Sequence, residues 1–206
     1  MKVLLINGSP HMEGCTYTAL SEVAGALNEY GIQTQIFHIG TKPVFGCAGC
    51  HKCVDLGRCI FDDDVCNEMA ELAARADGLV IGTPVYFAGV NGALCALLDR
   101  MFVSAGPKLR NKPAAAVVSC RRSGASAAFD RINKYFTIMQ MPVVSSQYWN
   151  NVHGIVPEHV KKDLEGLQIM RTLGKNMAWL LKSIEAGGQP VPVDEPRAVT
   201  CFHDGK

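Results

Sequence analysis

Cys47, Cys50, Cys53 and Cys59 fall on one short stretch, GCAGCHKCVDLGRC, so four thiols must share a neighbourhood. Thiolates are soft ligands, and compact two-residue spacers suit a cubane iron-sulfur cluster, whose four irons each take one thiolate. Gly46, Gly49 and Gly57 permit the tight wrapping that such a centre needs. Tetrahedral zinc is also satisfied by four thiolates, although structural zinc more often draws on two separated Cys pairs. His51, inside the same stretch, reads as a loop residue and not as a ligand. Cys66, Cys95, Cys120 and Cys201 stand alone in segments of helix, strand or tail character, where a solitary cysteine behaves as a small hydrophobe.

A second stretch able to do chemistry is Gly8-Ser9-Pro10-His11-Met12-Glu13-Gly14-Cys15-Thr16. It sits between an apolar run and a helical pattern, so backbone N–H groups and the positive end of a helix dipole converge on one spot, an anion site. Gly8 and Gly14 let the backbone approach a phosphate, while Ser9 and Thr16 add hydroxyls and His11 a ring N–H. No Gly-Lys-Ser/Thr follows, and the G-x-G-x-x-G dinucleotide fingerprint is missing. In a third stretch, Pro84 to Gly89, the aromatics Tyr86 and Phe87 are placed to cover a flat ring.

The elements that must position these stretches alternate. Apolar runs at 2–7, 78–83 and 114–119 read as buried parallel strands, 32–39 as an edge strand and 142–145 as a fifth. Helical spacing of apolar residues marks 16–31, 63–75, 90–103, 126–139 and a long C-terminal helix over 157–185. Alternation of this kind predicts an α/β fold with a mostly parallel sheet and helices on both faces. Ligands then bind at the carboxyl ends of the strands, where the second and third stretches lie. Residues 1–186 read as a single domain carrying the cysteine loop at 43–63, and 187–206 as an irregular tail.

At 206 residues, 48% hydrophobic and 19% charged, the chain is expected to bury a real core. A net charge of +1 with interspersed signs predicts no nucleic-acid or anionic-membrane partner. The N-terminal MKVLLINGSP is too short in apolar residues for a signal peptide, so a reducing, cytoplasmic location is expected.

GSPHMEGCT followed by TPVYFAGVNGALCALLDR resembles the NADPH-dependent FMN reductase branch of the flavodoxin-like superfamily, over roughly residues 1–145. The resemblance implies a flavodoxin-like three-layer fold with a five-stranded parallel sheet in the order 2-1-3-4-5. It implies non-covalent FMN, its phosphate on Ser9, His11, Gly14, Cys15 and Thr16, and its ring against Pro84, Val85, Tyr86 and Phe87, with Ser119 and Gly124 at the far edge. The cysteine spacing is similar to that of the iron-sulfur flavoproteins, a subset in which such a motif after the second strand holds a [4Fe-4S] cluster. Similar loops followed by an Asp pair, here Asp62-Asp63, occur in FMN-only relatives, where the thiols would be free or form a redox disulfide.

The activity implied is electron transfer between a [4Fe-4S] cluster and FMN, fed by ferredoxin or NAD(P)H and discharged to a small-molecule acceptor, in a homodimer or homotetramer. A cluster-free NAD(P)H oxidoreductase is one alternative. A non-enzymatic flavodoxin-type carrier is another, and the near-neutral charge speaks against it. No side chain is assigned as a catalytic acid or base, because the flavin supplies the chemistry.

Overall fold

In the computed structural model, which describes residues 1–196 and 198, the first strand, β1 (Lys2–Asn7), is buried on both faces. Val3, Leu4, Leu5 and Ile6 leave no polar side chain for water, so helices must cover either side. β1 pairs in parallel with β2 (Gln33–His38) and with β3 (Gly78–Tyr86). β3 continues to β5 (Ala114–Cys120), and β5 to β6 (Asn151–His153). The sheet order β2-β1-β3-β5-β6 is the 2-1-3-4-5 order expected for the five parallel strands. A sixth, two-residue strand, β4 (Gly89–Val90), turns back antiparallel on the end of β3.

Alternate residues of the central strands divide the core. Val3, Leu5 and Val80 pack with α1 (Cys15–Glu29) and the long α7 (Leu164–Gly187). Leu4, Ile6, Leu79 and Ile81 pack on the other face with α3 (Cys66–Arg75), α4 (Gly92–Leu109) and α5 (Ala125–Ile138). Gly174 lets α7 approach α1, since a Cβ there would lie 2.8 Å from the Val23 carbonyl oxygen. Among the described residues no helix is long and apolar enough to cross a membrane.

Three segments differ from the sequence expectation. The strand expected at 142–145 contributes only an isolated bridge, Val143 to Ala114. The chain leaves the sheet there and rejoins it at 151–153, guided by Asn150, whose side chain donates to the Ala116 carbonyl while its own carbonyl accepts from Val118 N–H. The C-terminal helix is split into α6 (Pro157–Val160) and α7 by Asp163, which caps α7 through Gly166 N–H at 2.9 Å and also accepts from His153 N–H. The helix expected from Val90 starts at Gly92 instead, capped by the Asn91 side chain, and runs to Leu109. Cys201 lies outside the described residues. Cys66 is buried at the start of α3, and burial pushes its thiol up to about 12, so it stays protonated.

Candidate functional site

The direction of the chain switches between β1 and β3, and at their carboxyl ends lies a cleft of about 780 Å³. Ser9, His11, Gly14, Cys15 and Thr16 form one end, Pro84, Val85 and Tyr86 one wall, and Ser119 part of the floor. The first-turn N–H groups of α1 have no intrahelical partner and face this end. Gly8 must be glycine, since a Cβ would meet the Gly82 carbonyl oxygen at 2.8 Å and the Leu94 side chain at 2.4 Å.

Buried Asn7 holds the loop in shape. Its Oδ1 accepts from Ser9 N–H at 3.1 Å and its Nδ2 donates to the Met12 carbonyl at 2.9 Å. His38, at the end of β2, places Nε2 2.8 Å from the Ser9 carbonyl oxygen, which makes that nitrogen the donor. Thr16 Oγ1 lies 2.8 Å from Ser119 Oγ, joining the loop to β5. Burial raises the Cys15 and Cys120 thiols above their ordinary range, so both cleft-wall thiols are protonated at neutral pH.

Phe87 and Gly124 do not line the cleft. Phe87 and Ala88 occupy the hairpin turn between β3 and β4 at φ of 50° and 59°, and the Phe87 ring is fully exposed. Gly124, at φ 86°, lies against that turn, where a Cβ would come within 2.8 Å of Ala88 Cα. Its part is to support the hairpin that carries Tyr86.

Cys47, Cys50, Cys53 and Cys59 surround a separate cavity of about 140 Å³, walled otherwise by Ile60, Phe61, Val103 and the Arg100 side chain. Cys47 and Cys50 are exposed, Cys53 and Cys59 half-buried. Among the described residues no three His, Cys, Asp or Glu side chains are grouped to hold a single metal ion. The four cysteine residues do line one cavity. α2 (Cys53–Leu56) is a single turn ended by Gly57 at φ 64°, and it reverses the chain between Cys53 and Cys59.

Two residues fix Cys59. Asn67 brackets its backbone, with Oδ1 accepting from Cys59 N–H at 3.0 Å and Nδ2 donating to the Cys59 carbonyl at 3.1 Å, and Nδ2 also reaches the Phe61 carbonyl and Asp62. Arg100, on α4, is 1% exposed, and its Nε donates to Cys59 Sγ at 3.2 Å. Its remaining nitrogens reach Asp64 and the carbonyls of Phe45 and Phe61. Burial works against the guanidinium charge, but the hydrogen bonds to Asp64 and Cys59 outweigh it and hold the group above its ordinary value. Asn67→Ala strips partners from partly buried backbone groups and is expected to cost about 1 kcal/mol of stability, read from urea unfolding of the apo-protein.

A family model described as NADPH-dependent FMN reductase matches residues 1–154. The chain belongs to this family. It is similar to two iron-sulfur flavoproteins of Methanocaldococcus jannaschii: one is 37% identical over 193 residues, spanning 90% of this chain and 100% of the relative. The other is 33% identical over 186 residues, spanning 83% and 92%. These matches place the chain with the iron-sulfur flavoproteins of the FMN reductase family. In fold it is similar to a solved flavodoxin from the domain Archaea, at a TM-score of 0.61 and 15% identity over 88% of this chain and 99% of that one. Membership makes the chain a flavin-dependent oxidoreductase.

Several residues that build the cleft and the cysteine cavity escape a reading by motif. Asn7 and Thr83 lie in strands and read as strand ends, yet Thr83 Oγ1 accepts from Asn91 N–H and ties the hairpin to α4. Arg121 and the segment Gly154–Pro157 complete the cleft from the ends of β5 and β6. A parallel sheet of this order places those two strand ends beside the first loop, and that topological rule is the signal that would have found them. Arg100 and Asn67 sit on helices at positions that periodicity assigns to packing, with nothing local to mark them.

Proposed function

We propose that FMN lies in the cleft between the 9–16 loop and Tyr86, that Cys47, Cys50, Cys53 and Cys59 hold a [4Fe-4S] cluster, and that the protein relays electrons between the two. The observation that carries this reading is the convergence of four thiols, one of them hydrogen-bonded by a buried arginine, on a single cavity of a chain that also has the flavin cleft. When bound, FMN would exchange electrons in pairs and the cluster one at a time, so together they match two-electron to one-electron partners.

The chain's own residues bind and orient. The first turn of α1, with Ser9 and the His11 ring, meets the phosphate, and the loop is held open for it by Asn7 and His38 rather than by the ligand. Tyr86, 45% exposed on the cleft wall, presents an aromatic surface to the flavin ring. Thr16 and Ser119 satisfy one another and lock the floor, so their contribution is to position backbone groups as much as to donate. The four thiols would ligate as thiolates, and Arg100 places a hydrogen-bond donor on the Cys59 sulfur. A redox donor and acceptor are required; reduced ferredoxin or NAD(P)H as donor and a small electrophile as acceptor are the classes we assign. Operation in the reducing cytoplasm agrees with the eight described cysteines, all of them free. Assembly into a homodimer or homotetramer would cover Tyr148 and Trp149, each 57% exposed.

Anaerobic purification tests the reading directly. The expected product carries FMN together with stoichiometric iron and acid-labile sulfide. FMN without iron would leave the cluster-free NAD(P)H oxidoreductase as the correct description. Asn7→Ala should weaken FMN by about 1–3 kcal/mol, because Ser9 N–H and the Met12 carbonyl lose their buried partner. Fluorescence titration of the apo-protein checks this, and an unchanged affinity would remove Asn7 from the support of the loop.

A further inference from the structure

Arg100 is the largest fully buried side chain of the described residues, and it is charged. Such a group is costly unless every donor is used. Here each of its three nitrogens is directed at the cysteine centre or its two flanks: Phe45 ahead of Cys47, then Cys59, Phe61 and Asp64 behind. The Asp64 side chain is itself only 5% exposed. A buried charge pair lying against a sulfur acts in a medium where charge is poorly screened, so small imbalances between the two charges are felt strongly at the sulfur.

Resting on the reading that the four cysteines hold an iron-sulfur cluster, we propose that Arg100 sets the reduction potential of that centre through its N–H···S bond to Cys59, with Asp64 as the opposing charge. Uptake of one electron from a low-potential donor adds one negative charge to the centre, with no bond made or broken at Arg100. A positive charge and a hydrogen bond at the sulfur stabilise the reduced form and raise the potential. Asp64 offsets part of that effect. Arg100 is therefore a positioning and tuning residue, and the balance within the pair is what the centre senses.

A brace that merely ties Phe45 to Phe61 would leave the potential unmoved, which gives the test its discrimination. The full chain is reconstituted anaerobically as wild type, Asp64→Asn, Arg100→Lys and the double variant Arg100→Gln with Asp64→Asn. Iron and sulfide content are measured, and the cluster is followed by electron paramagnetic resonance through a redox titration. Asp64→Asn keeps the bond to Cys59 and removes the counter-charge, so its midpoint is expected to move positive. The double variant is expected to move back, negative of Asp64→Asn, and Arg100→Lys to fall between them. The FMN midpoint is the internal reference, since the cleft and the cysteine cavity share no lining residue. Loaded variants with the wild-type midpoint would overturn the inference and leave the cluster reading standing. Should the double variant hold no iron, the sign of the shift in Asp64→Asn decides, and a negative or absent shift overturns it. A wild type without iron overturns the cluster reading and the inference together.

Discussion

Cys53→Ala is expected to yield a yellow protein in place of a brown one: the cluster absorbance and the iron content are lost, and FMN stays bound. The expectation follows from the separation of the two sites. Cys53 opens the single turn of α2 and lines the small cavity, while no residue of that cavity lines the cleft proposed for FMN. In the proposed cluster, removing one of four thiolates leaves one iron without its protein ligand, and the neighbouring Cys66 does not line the cavity, its fully buried Sγ facing the Leu97 carbonyl instead. An absorbance spectrum and metal analysis of the anaerobically purified variant check the result. Joint loss of flavin and iron would show that the cysteine loop supports the cleft through α4 or through contact between copies.

Arg100→Met carries the largest expected loss of stability. Breaking a buried ion pair by removing one partner typically costs about 3–5 kcal/mol, because the surviving charge is left without compensation. Here the survivor is Asp64, and the carbonyls of Phe45 and Phe61 lose donors as well. The double variant Arg100→Met with Asp64→Leu removes both charges and should recover roughly half of the loss, since a buried pair replaced by apolar groups is often near neutral. Urea unfolding of the apo-protein measures both. Equal stability of the single and double variants would mean that the cost lies in the backbone bonds and not in the stranded carboxylate.

Much of the fold was legible because its signals are local. Val3 to Ile6 can only be a doubly covered strand, and Gly-Ser-Pro after it can only stop one, so β1 and its loop follow from residue type. The cysteine spacing works in the same way, since four thiols on one short loop have nowhere else to go. Where pairing depends on a distant edge, local type misleads. Val143 and Val144 are better strand formers than Asn151 and His153, yet the sheet accepts the latter because Asn150 anchors that segment to Ala116 and Val118. The 157–185 pattern kept its apolar spacing across a break that a single cap at Asp163 imposes. Phe87 has the composition of a ring wall, but it sits fully exposed in the hairpin turn at a positive φ, and Tyr86 is the aromatic that lines the cleft. Arg100 illustrates the limit most clearly, because an arginine in an apolar helix face has no meaning until the loop it fastens is folded over it.

The bonds that close the cysteine loop are protein to protein: Asn67 to the Cys59 backbone, Arg100 to both flanks, and the Phe45 and Phe61 rings in contact at 5.0 Å. In small zinc domains the metal drives folding, and removing it unfolds the chain. Here the socket is built from ordinary side-chain chemistry, with the exposed Cys47 and Cys50 at its mouth and Cys53 and Cys59 half-buried. Protein bonds of this kind restrict the loop independently of any bound group, and under the proposed reading they would hold Cys59 more firmly than the exposed Cys47 and Cys50.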